Sequence, residues 1–264
     1  MHLQEGFSGK TIVVTGGASG IGEACVKLLR ARGAQVLVVD CDLDKAAAVA
    51  EDPALAHQVD VSQADQVNAL AERIAASGVE VDGLVNCAGI VQSPLPPDVL
   101  DVDTYRQVIG IDLEGTYFCC AAFGAAMARR GRGAIVNIAS VAGMRSMPLH
   151  AYSPAKAAVI NLTECLAAEW GRSGVRVNAI SPGYTVTAAL QSQIDQGLRD
   201  PEKLKQNSAL GTLIRPDDIA RPVAFLLSDE AAMITGINLP VDAGWLVAGS
   251  WSTFGGVRPA SAAG

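Results

Sequence analysis

Short apolar runs rich in β-branched residues alternate along this chain with alanine- and leucine-rich stretches of helical pattern. Most runs are continuously apolar, which is typical of parallel strands covered on both faces, and this restricts the possible folds more than any other feature. The repeated order of strand, helix and strand gives right-handed crossovers, and no linker divides the 264 residues. The sequence therefore predicts one α/β domain over residues 1–264, with a doubly wound parallel sheet of seven strands.

The predicted elements can be placed by residue number. Strands are expected over residues 11–15, 35–39, 56–59, 83–86, 134–138, 175–180 and 237–241. Helices are expected over residues 20–32, 64–76, 102–130, 151–172 and 216–227. Residues 187–214 are long enough to be a lid over a site, and residues 255–264 are expected to fray. The aromatic segment before that tail, with Trp245 and Trp251, is expected to pack on a neighbouring subunit.

Charged residues are scarce: they make up 18% of the chain, against about 25% in an average soluble domain. Hydrophobic residues make up 50% and the mean hydropathy is +0.28, so apolar surface must be hidden. No run approaches the roughly 18 uninterrupted apolar residues of a membrane span, which leaves self-association as the better explanation. The net charge of −7 argues against a nucleic-acid partner, since duplex binding requires clustered lysine and arginine.

The N-terminus and the cysteines indicate a cytoplasmic protein. Residues 1–6 have neither a basic segment nor a long apolar segment, so no signal peptide is predicted. The six cysteines show no CxxC spacing, and no second pair accompanies the adjacent Cys119 and Cys120. We therefore expect reduced thiols and no metal site.

A glycine-rich turn, TGGASGIG, follows the first predicted strand directly and leads into a helix. Gly16, Gly20 and Gly22 allow a tight turn, close approach of the backbone to a pyrophosphate, and close packing of helix on strand. The helix N-terminus adds free N–H groups and the positive end of the helix dipole. Such turns also occur without a ligand, but the position between strand and helix favours a dinucleotide site.

Asp40 ends the second predicted strand, where a carboxylate can accept hydrogen bonds from a ribose diol. A 2′-phosphate there would meet a like charge, which costs about 4 kcal/mol per unit pair at ~4 Å and an effective dielectric of about 20. No lysine or arginine follows immediately, since Cys41 and Asp42 come next. An ordinary helix-capping aspartate is the alternative, but the pattern favours NAD over NADP.

Two more polar strand ends are predicted at the same edge of the sheet. Asp60 and Val61 close the third strand, and Asn86 closes the fourth, followed by Ala88 and Gly89. Ligands of doubly wound folds bind at this edge, whereas turn chemistry explains the same residues equally well. The spacing alone does not decide between the two interpretations.

Tyr152 and Lys156 stand four residues apart in YSPAK, on one face of a predicted helix. An unperturbed tyrosine, with a pKa of about 10, is a poor base at neutral pH. A neighbouring ammonium and a cationic nicotinamide would favour the phenolate, and lowering the pKa by roughly two to three units requires about 3–4 kcal/mol. A helix tyrosine beside a surface lysine is the ordinary alternative, but Ser140 follows the fifth strand at the same edge and can bond to a substrate hydroxyl.

Several motifs occur in a fixed order across nearly the whole chain: TGGASGIG, Asp60-Val61, NCAG, Ser140 with YSPAK, RVNAISPG and VDAG. Each is weak alone, but the combination is specific. Together they resemble the short-chain dehydrogenase/reductase family in its single-domain form. The resemblance implies a Rossmann-type sheet, a nicotinamide cofactor, a Ser–Tyr–Lys centre and a homotetramer.

The resemblance also assigns residues to the site. Catalysis falls to Ser140, Tyr152, Lys156 and Asp112. The residues expected to bind the cofactor are Gly16, Ser19, Gly20, Ile21, Gly22, Asp40, Asp60, Val61, Asn86, Ala88, Gly89, Tyr152, Lys156, Pro182, Gly183, Thr185 and Thr187. Within that set, Asp40 is expected at the adenosine ribose, and Asp60 and Val61 at the adenine. Asn86 and the turn after it are expected beside a ribose, and Thr187 at the nicotinamide carboxamide.

Asp112 departs from the family pattern. The family usually has an asparagine at this point of the long helix, where it helps to place a water in a proton relay. The Asp112 carboxylate is expected to raise the pKa of Lys156 and to alter the pH profile, although a relay through the backbone carbonyl would tolerate it. Cys87 and Ala243 also depart, replacing asparagine and glycine, and neither is expected to disturb the chemistry.

The expected function is NAD-dependent interconversion of a secondary alcohol and its ketone, with Tyr152 as general base. Tyr184 and Thr185 resemble the PGYT segment of polyol and sugar-alcohol dehydrogenases. Two alternatives stay open: a 3-oxoacyl-thioester reductase, which Asp40 argues against, and a non-catalytic NAD sensor. The expected partners are a small-molecule substrate and further copies of the chain in a homotetramer, with no nucleic acid and no membrane.

Overall fold

The computed structural model describes residues 6–258, and its centre is a sheet of seven parallel strands. The strands are β1 (Thr11–Thr15), β2 (Gln35–Asp40), β3 (Ala56–Gln58), β4 (Gly83–Asn86), β5 (Gly133–Ile138), β6 (Val175–Pro182) and β7 (Asn238–Val241). Their spatial order is β3-β2-β1-β4-β5-β6-β7. The order reverses between β1 and β4, and ligands of doubly wound folds bind at such a switch point. The predicted fold class is confirmed.

Helices cover both faces of the sheet. They are α1 (Gly20–Ala31), α2 (Leu43–Ala50), α3 (Ala64–Ala76), α4 (Val102–Arg130), α5 (Tyr152–Trp170), α6 (Ala188–Asp195), α7 (Pro201–Gln206), α8 (Pro216–Leu227) and α9 (Trp245–Ala248). Neighbouring strand residues enter different cores: Val14 packs in the core that contains α1 and α8 residues, and Val13 in the core that contains α3 and α4 residues. Two covered faces explain why the strands are continuously apolar.

The bounds of the elements follow the sequence prediction closely. β1, β4, α3 and α8 begin and end at the predicted residues. β6 continues beyond the predicted end at residue 180, because Ser181 and Pro182 still pair with β7. The prediction ended the strand at its last β-branched residue, whereas pairing with a neighbouring strand sets the real end.

The long helix α4 contains two wide turns, which the regular helix predicted for residues 102–130 did not include. Gly110–Glu114 and Cys120–Gly124 have π geometry, in which backbone hydrogen bonds span five residues. By length and composition α4 could span a bilayer, since an 18-residue window has a mean hydropathy of 1.3. Half of that window is buried inside the fold, which accounts for its apolar character.

The segment predicted as a lid, residues 187–214, is a loop whose two ends are joined. A parallel bridge links Thr185 to Ile214, and the Val186 N–H donates to the Ile214 carbonyl at 2.8 Å. Helices α6 and α7 lie within the loop. Beyond α9 the chain forms a 3₁₀ helix, Gly249–Phe254, and the tail predicted from residue 255 lies outside the described residues after residue 258.

Candidate active site

The turn between β1 and α1 leaves no room for side chains at two of its glycines. Gly16 has φ +62°, and a Cβ there would lie 2.7 Å from the Ala88 backbone. A Cβ on Gly22 would overlap the Gly16 carbonyl oxygen. Ser19 precedes α1 without a side-chain capping bond, and Ile21 lies in the first helical turn. The first N–H groups of α1 therefore face the sheet edge as donors for an anionic group.

The carboxylate of Asp40 lies against the same turn. Its Oδ2 accepts from the Ala18 N–H at 3.1 Å, and its Oδ1 accepts from the Asp42 N–H at 3.1 Å. β1 and β2 pair in register up to Thr15 and Val39, which brings the two strand ends together. The carboxylate retains free lone pairs, so it can also accept from a ribose diol.

Asp60 and Val61 form a tight turn after β3. The Asp60 Oδ1 accepts from the Ser62 N–H at 3.0 Å and from the Ser62 hydroxyl at 2.7 Å. Val61 is buried, and a Cβ on Gly115 of α4 would lie 2.7 Å from its side chain. The side chains of Asp60 and Val61 are thus used in the turn and in packing against α4. Both residues still lie at the sheet edge, beside the site.

Asn86 points into the core instead of into the site. Its Nδ2 donates to the Asn137 Oδ1 at 2.8 Å, and the residue is 3% exposed. The Asn86 side chain is thus used in the core, where two neighbouring strands pair these amides below the edge, and the place of Asn86 and its following turn beside a ribose stays a prediction. The following turn is held by Thr15, a residue that the prediction missed, whose Oγ1 accepts from the N–H groups of Cys87 and Ala88 at 3.1 and 3.3 Å.

Asp112 and Lys156 form a buried ion pair. The Lys156 Nζ lies 3.1 Å from the Asp112 Oδ2, and the two side chains are 4% and 0% exposed. The Ile90 N–H donates to the Asp112 Oδ1 at 2.9 Å, and the Lys156 ammonium donates to the Ile138 carbonyl at 3.0 Å. A Cβ on Gly89 would lie 3.1 Å from the Asp112 Oδ2, so this glycine keeps the backbone close to the pair.

Ser140 and Tyr152 meet where α5 packs on the end of β5. Ser140 is 8% exposed and begins a 3₁₀ turn, and its Oγ accepts a backbone N–H of that turn at 3.1 Å. A Cβ on Gly143 of the same turn would lie 2.7 Å from the α5 backbone. Tyr152 is the first residue of α5, and the Lys156 Nζ lies 5.5 Å from the centre of its ring.

The electrostatics of this group differ from the prediction in one respect. Burial raises the pKa of Tyr152; the Lys156 charge and the Ser140 hydroxyl lower it, and the Asp112 carboxylate raises it further. The net pKa of Tyr152 is therefore raised, mainly by burial and further by Asp112, whereas the lowering predicted from the sequence relied on Lys156 together with a bound nicotinamide. Burial lowers the pKa of Lys156, but Asp112 and Tyr152 raise it by more, so it is raised as predicted.

The segment that follows β6 lies over the glycine-rich turn. A Cβ on Gly20 would lie 3.2 Å from the Thr187 Cγ2, so these two predicted cofactor residues are in proximity. Pro182 ends β6 and Gly183 follows it, and the Thr185 hydroxyl donates to the Gly183 carbonyl at 3.2 Å. The segment predicted as a lid thus begins at the same edge as the ion pair and Tyr152.

Two kinds of chemistry meet at this edge. A backbone cradle without side chains, a helix N-terminus and a carboxylate suited to a ribose fit a dinucleotide. A serine, a tyrosine and a buried lysine beside that cradle fit proton exchange with a hydroxyl group.

Burial raises the pKa of the nearby Cys87 thiol to about 12, so this thiol is neutral. Among residues 6–258, no cluster of three or more metal-ligating side chains occurs.

A family model described as enoyl-(acyl carrier protein) reductase matches residues 16–246, from the glycine-rich turn to α9. The chain belongs to the short-chain dehydrogenase/reductase family. The resemblance drawn from the motifs is therefore confirmed, and the protein is an oxidoreductase of this family.

Two curated relatives cover most of the chain. A 2,5-dichloro-2,5-cyclohexadiene-1,4-diol dehydrogenase of Sphingobium indicum is 40% identical over 244 residues, which are 90% of this chain and 98% of that protein. A D-threitol dehydrogenase of Mycolicibacterium smegmatis is 38% identical over 248 residues, which are 91% of this chain and 94% of that protein. Both names describe oxidation at a hydroxyl-bearing carbon, which agrees with interconversion of a secondary alcohol and its ketone.

A crystal structure from Brucella melitensis 16M, described as a ribose-5-phosphate isomerase, is 51% identical and superposes with a TM-score of 0.93. It covers 98% of this short-chain dehydrogenase/reductase and 100% of its own chain. Other similar solved structures hold NADP. A nicotinamide dinucleotide is thus the cofactor class of this oxidoreductase, and the choice between NAD and NADP depends on its own residues.

Proposed function

We propose that this oxidoreductase uses NAD to oxidise a secondary hydroxyl of a polyol or sugar alcohol, reversibly, with Tyr152 as general base. The observation that carries the proposal is the cluster of Ser140, Tyr152 and Lys156 beside the glycine-rich turn. Each polar group sits at the carboxyl edge of the sheet, where this fold binds ligands. The family relationship supports the reaction class, and the names of the relatives support a substrate with several hydroxyl groups.

Three side chains of the site have separate roles in the proton transfer. The Ser140 hydroxyl donates to the substrate oxygen and orients it. Tyr152, as phenolate, accepts the proton of the substrate hydroxyl, and the Lys156 ammonium stabilises that phenolate. Lys156 and Thr187 would hold the nicotinamide end of the cofactor, and the first turn of α1 its phosphates. When bound, the nicotinamide ring supplies the hydride acceptor.

The preference for NAD follows from Asp40. Its carboxylate lies at the glycine-rich turn, 3.1 Å from the Ala18 nitrogen, where the adenosine ribose of a bound dinucleotide would lie. A 2′-phosphate at that place would add a second negative charge beside the first. A neutral diol would instead supply two donors to the carboxylate.

We expect Asp40→Ser to shift the cofactor preference towards NADP. The ratio of kcat/KM with NAD to kcat/KM with NADP should fall by about tenfold to 100-fold, or about 1.4–2.8 kcal/mol. This change in free energy is smaller than the ~4 kcal/mol of repulsion between two close like charges, because Asp40 is partly exposed and solvent screens its charge. Initial rates at 340 nm with both cofactors measure the ratio.

Asp44→Ser is the matched control. Asp44 is exposed on α2, and its replacement removes the same charge without touching the glycine-rich turn. The control should keep the wild-type preference. An unchanged ratio in Asp40→Ser would contradict the role given to Asp40, as would an equal shift in both variants.

The substrate class is tested with a panel of purified alcohols and carbonyl compounds. Polyols, simple secondary alcohols, hydroxy acids and a 3-oxoacyl thioester are each assayed at 340 nm with NAD(H) and NADP(H). The proposal predicts that polyols give the highest kcat/KM. Higher activity on the thioester would favour the reductase alternative, and tight NAD binding without turnover would favour the sensor.

Ribose 5-phosphate belongs in the same panel because of the name given to the similar Brucella structure. An isomerase converts it to ribulose 5-phosphate with no net change in nicotinamide. Our proposal predicts no such conversion without added cofactor. Product analysis in the absence of NAD separates the two activities.

We further propose a homotetramer in the cytoplasm. In the single chain, apolar side chains are exposed on α4 and on the segment that ends in the 3₁₀ helix; they are Val102, Tyr105, Tyr117, Val247, Trp251 and Phe254. Burial of these side chains between copies agrees with the low share of charged residues. Light scattering at micromolar concentration should give the mass of four chains, and a monomer would overturn the assembly. Cell fractionation tests the location.

A further inference from the structure

The connection between β4 and α4 carries a buried amide that the mechanism above does not use. Gln92 is 6% exposed, although it lies on a connection at the edge of the sheet. Its Oε1 accepts the backbone N–H of Ala151 at 3.1 Å and that of Tyr152 at 2.9 Å. Ala151 precedes α5 and supplies no side-chain cap of its own. Gln92 therefore caps the helix that begins with the proposed general base.

This cap fixes the position of Tyr152 directly, because one of its two donors is the N–H of Tyr152 itself. The connection is anchored a second time through Ile90, whose N–H donates to the Asp112 Oδ1 at 2.9 Å. Residues 90–92 thus join the Asp112–Lys156 ion pair to the start of α5. A shift of this connection would move the phenol relative to Ser140.

The other end of the Gln92 amide has no partner. The Nε2 is buried and makes no hydrogen bond to any described residue. Because two N–H donors require the Oε1 to face α5, the orientation of the amide is determined and the Nε2 must face elsewhere. A buried donor without an acceptor is costly, and an ordered water or a bound ligand can supply the acceptor. An acceptor brought by the substrate would satisfy it.

We propose that Gln92 both positions Tyr152 and selects the substrate: its Oε1 holds the start of α5, and its Nε2 donates to a second oxygen beside the reacting carbinol. The second role rests on the proposed function. A donor fixed next to Tyr152 favours vicinal diols and polyols, which carry an oxygen on the neighbouring carbon. A simple secondary alcohol leaves the amide unsatisfied.

Two variants separate the two roles. Gln92→Glu keeps an oxygen for the two N–H donors but replaces the amide donor by an acceptor. Gln92→Met removes both. The probes are 2,3-butanediol and 2-butanol, which have four carbons each and differ in the second hydroxyl, and each variant is assayed with NAD across pH, since a new carboxylate also affects Tyr152.

We expect wild-type protein to prefer the diol, and Gln92→Glu to lower the ratio of kcat/KM for diol to kcat/KM for 2-butanol by about tenfold or more, mainly through the KM of the diol. Gln92→Met should lower that ratio as well, and in addition lower kcat for both alcohols by about tenfold, because the phenol is less well placed. Gln107→Met, on the exposed surface of α4, is the matched control and should change neither quantity.

Hydrogen exchange in the first turn of α5 tests the cap without any substrate. The amides of Ala151 and Tyr152 should exchange at least about tenfold faster in Gln92→Met than in wild type, and at nearly the wild-type rate in Gln92→Glu. Unchanged exchange in Gln92→Met would overturn the positioning role. A diol preference retained in Gln92→Glu would overturn the selecting role. If wild-type protein oxidised neither probe, the selecting role would fall with the proposed function, and the exchange result would still decide the cap.

Discussion

Tyr152→Phe is expected to reduce turnover by about 10²–10⁴-fold at every pH. The change removes only the phenolic oxygen and keeps the ring near the Lys156 ammonium, so the packing at the start of α5 is preserved. Lys156 cannot accept the substrate proton in place of Tyr152, because Asp112 holds it as a cation. The measurement is the initial rate of alcohol oxidation across a pH range.

Binding of NAD to Tyr152→Phe is the necessary companion measurement. The dissociation constant should remain close to the wild-type value, since Asp40 and the glycine-rich turn lie on other elements. Tyr105→Phe, on α4 outside the site, removes the same oxygen elsewhere, keeps an apolar ring at that position, and should retain full activity. Wild-type turnover in Tyr152→Phe would exclude this tyrosine as the general base.

Asp112→Asn is expected to move the pH profile of oxidation to lower pH. The Asp112 carboxylate raises the pKa of Tyr152, so its neutralisation lowers that pKa and increases the phenolate fraction at a given pH. The rate of oxidation rises as the phenol ionises, and on the ascending limb each unit of displacement raises the rate by about tenfold. The profile of kcat/KM against pH measures the displacement.

The same variant has a cost in stability. Asp112→Asn leaves the buried Lys156 with the Ile138 carbonyl as its remaining polar contact, and breaking a buried pair costs up to about 3–5 kcal/mol. The Asn side chain can still accept from Ile90, so we expect the lower end of that range in urea unfolding. Asp103→Asn, exposed on the same helix, is the matched control for both measurements. A profile identical to wild type would show that the side-chain charge has no influence on Tyr152.

Most of the strands and helices were predictable, because the spacing of apolar residues and the turn residues between the runs indicate where each element begins and ends. β1 and β4 are apolar runs with turn signals at both ends, and the structure begins and ends them at the predicted residues. The wide turn Gly110–Glu114 was not predictable, since a π turn has the same residue preferences as the helix around it. This turn contains Asp112, and the contact of the Asp112 side chain with Lys156 depends on how α4 packs against α5.

The site was predictable as a set of residues but not as a network. The motif supplied Tyr152 and Lys156, yet the raised pKa of Tyr152 comes mainly from its burial and further from Asp112, 40 positions earlier in the chain. Asn86 stands in a recognisable motif and still turns inward, because its partner Asn137 lies on the neighbouring strand. Pairings of this kind depend on strand order, which no local pattern encodes.

Ala243 departs from the motif at a physical cost that the sequence alone does not show. The residue has φ +53°, a left-handed conformation that costs a residue with a side chain about 1–2 kcal/mol. The family's glycine at this position thus answers a requirement of the backbone. This chain meets the same requirement with strain, and Leu210 donates its N–H to the Ala243 carbonyl at 3.0 Å.

The joined ends of the predicted lid, residues 187–214, make the segment between them a separable unit. Because the Thr185–Ile214 bridge closes the loop at its base, the loop can lengthen, shorten or change composition while the register between β6 and β7 stays the same. Evolution or an engineer can therefore vary this segment while Ser140, Tyr152 and Gln92, which lie on other parts of the chain, stay in place.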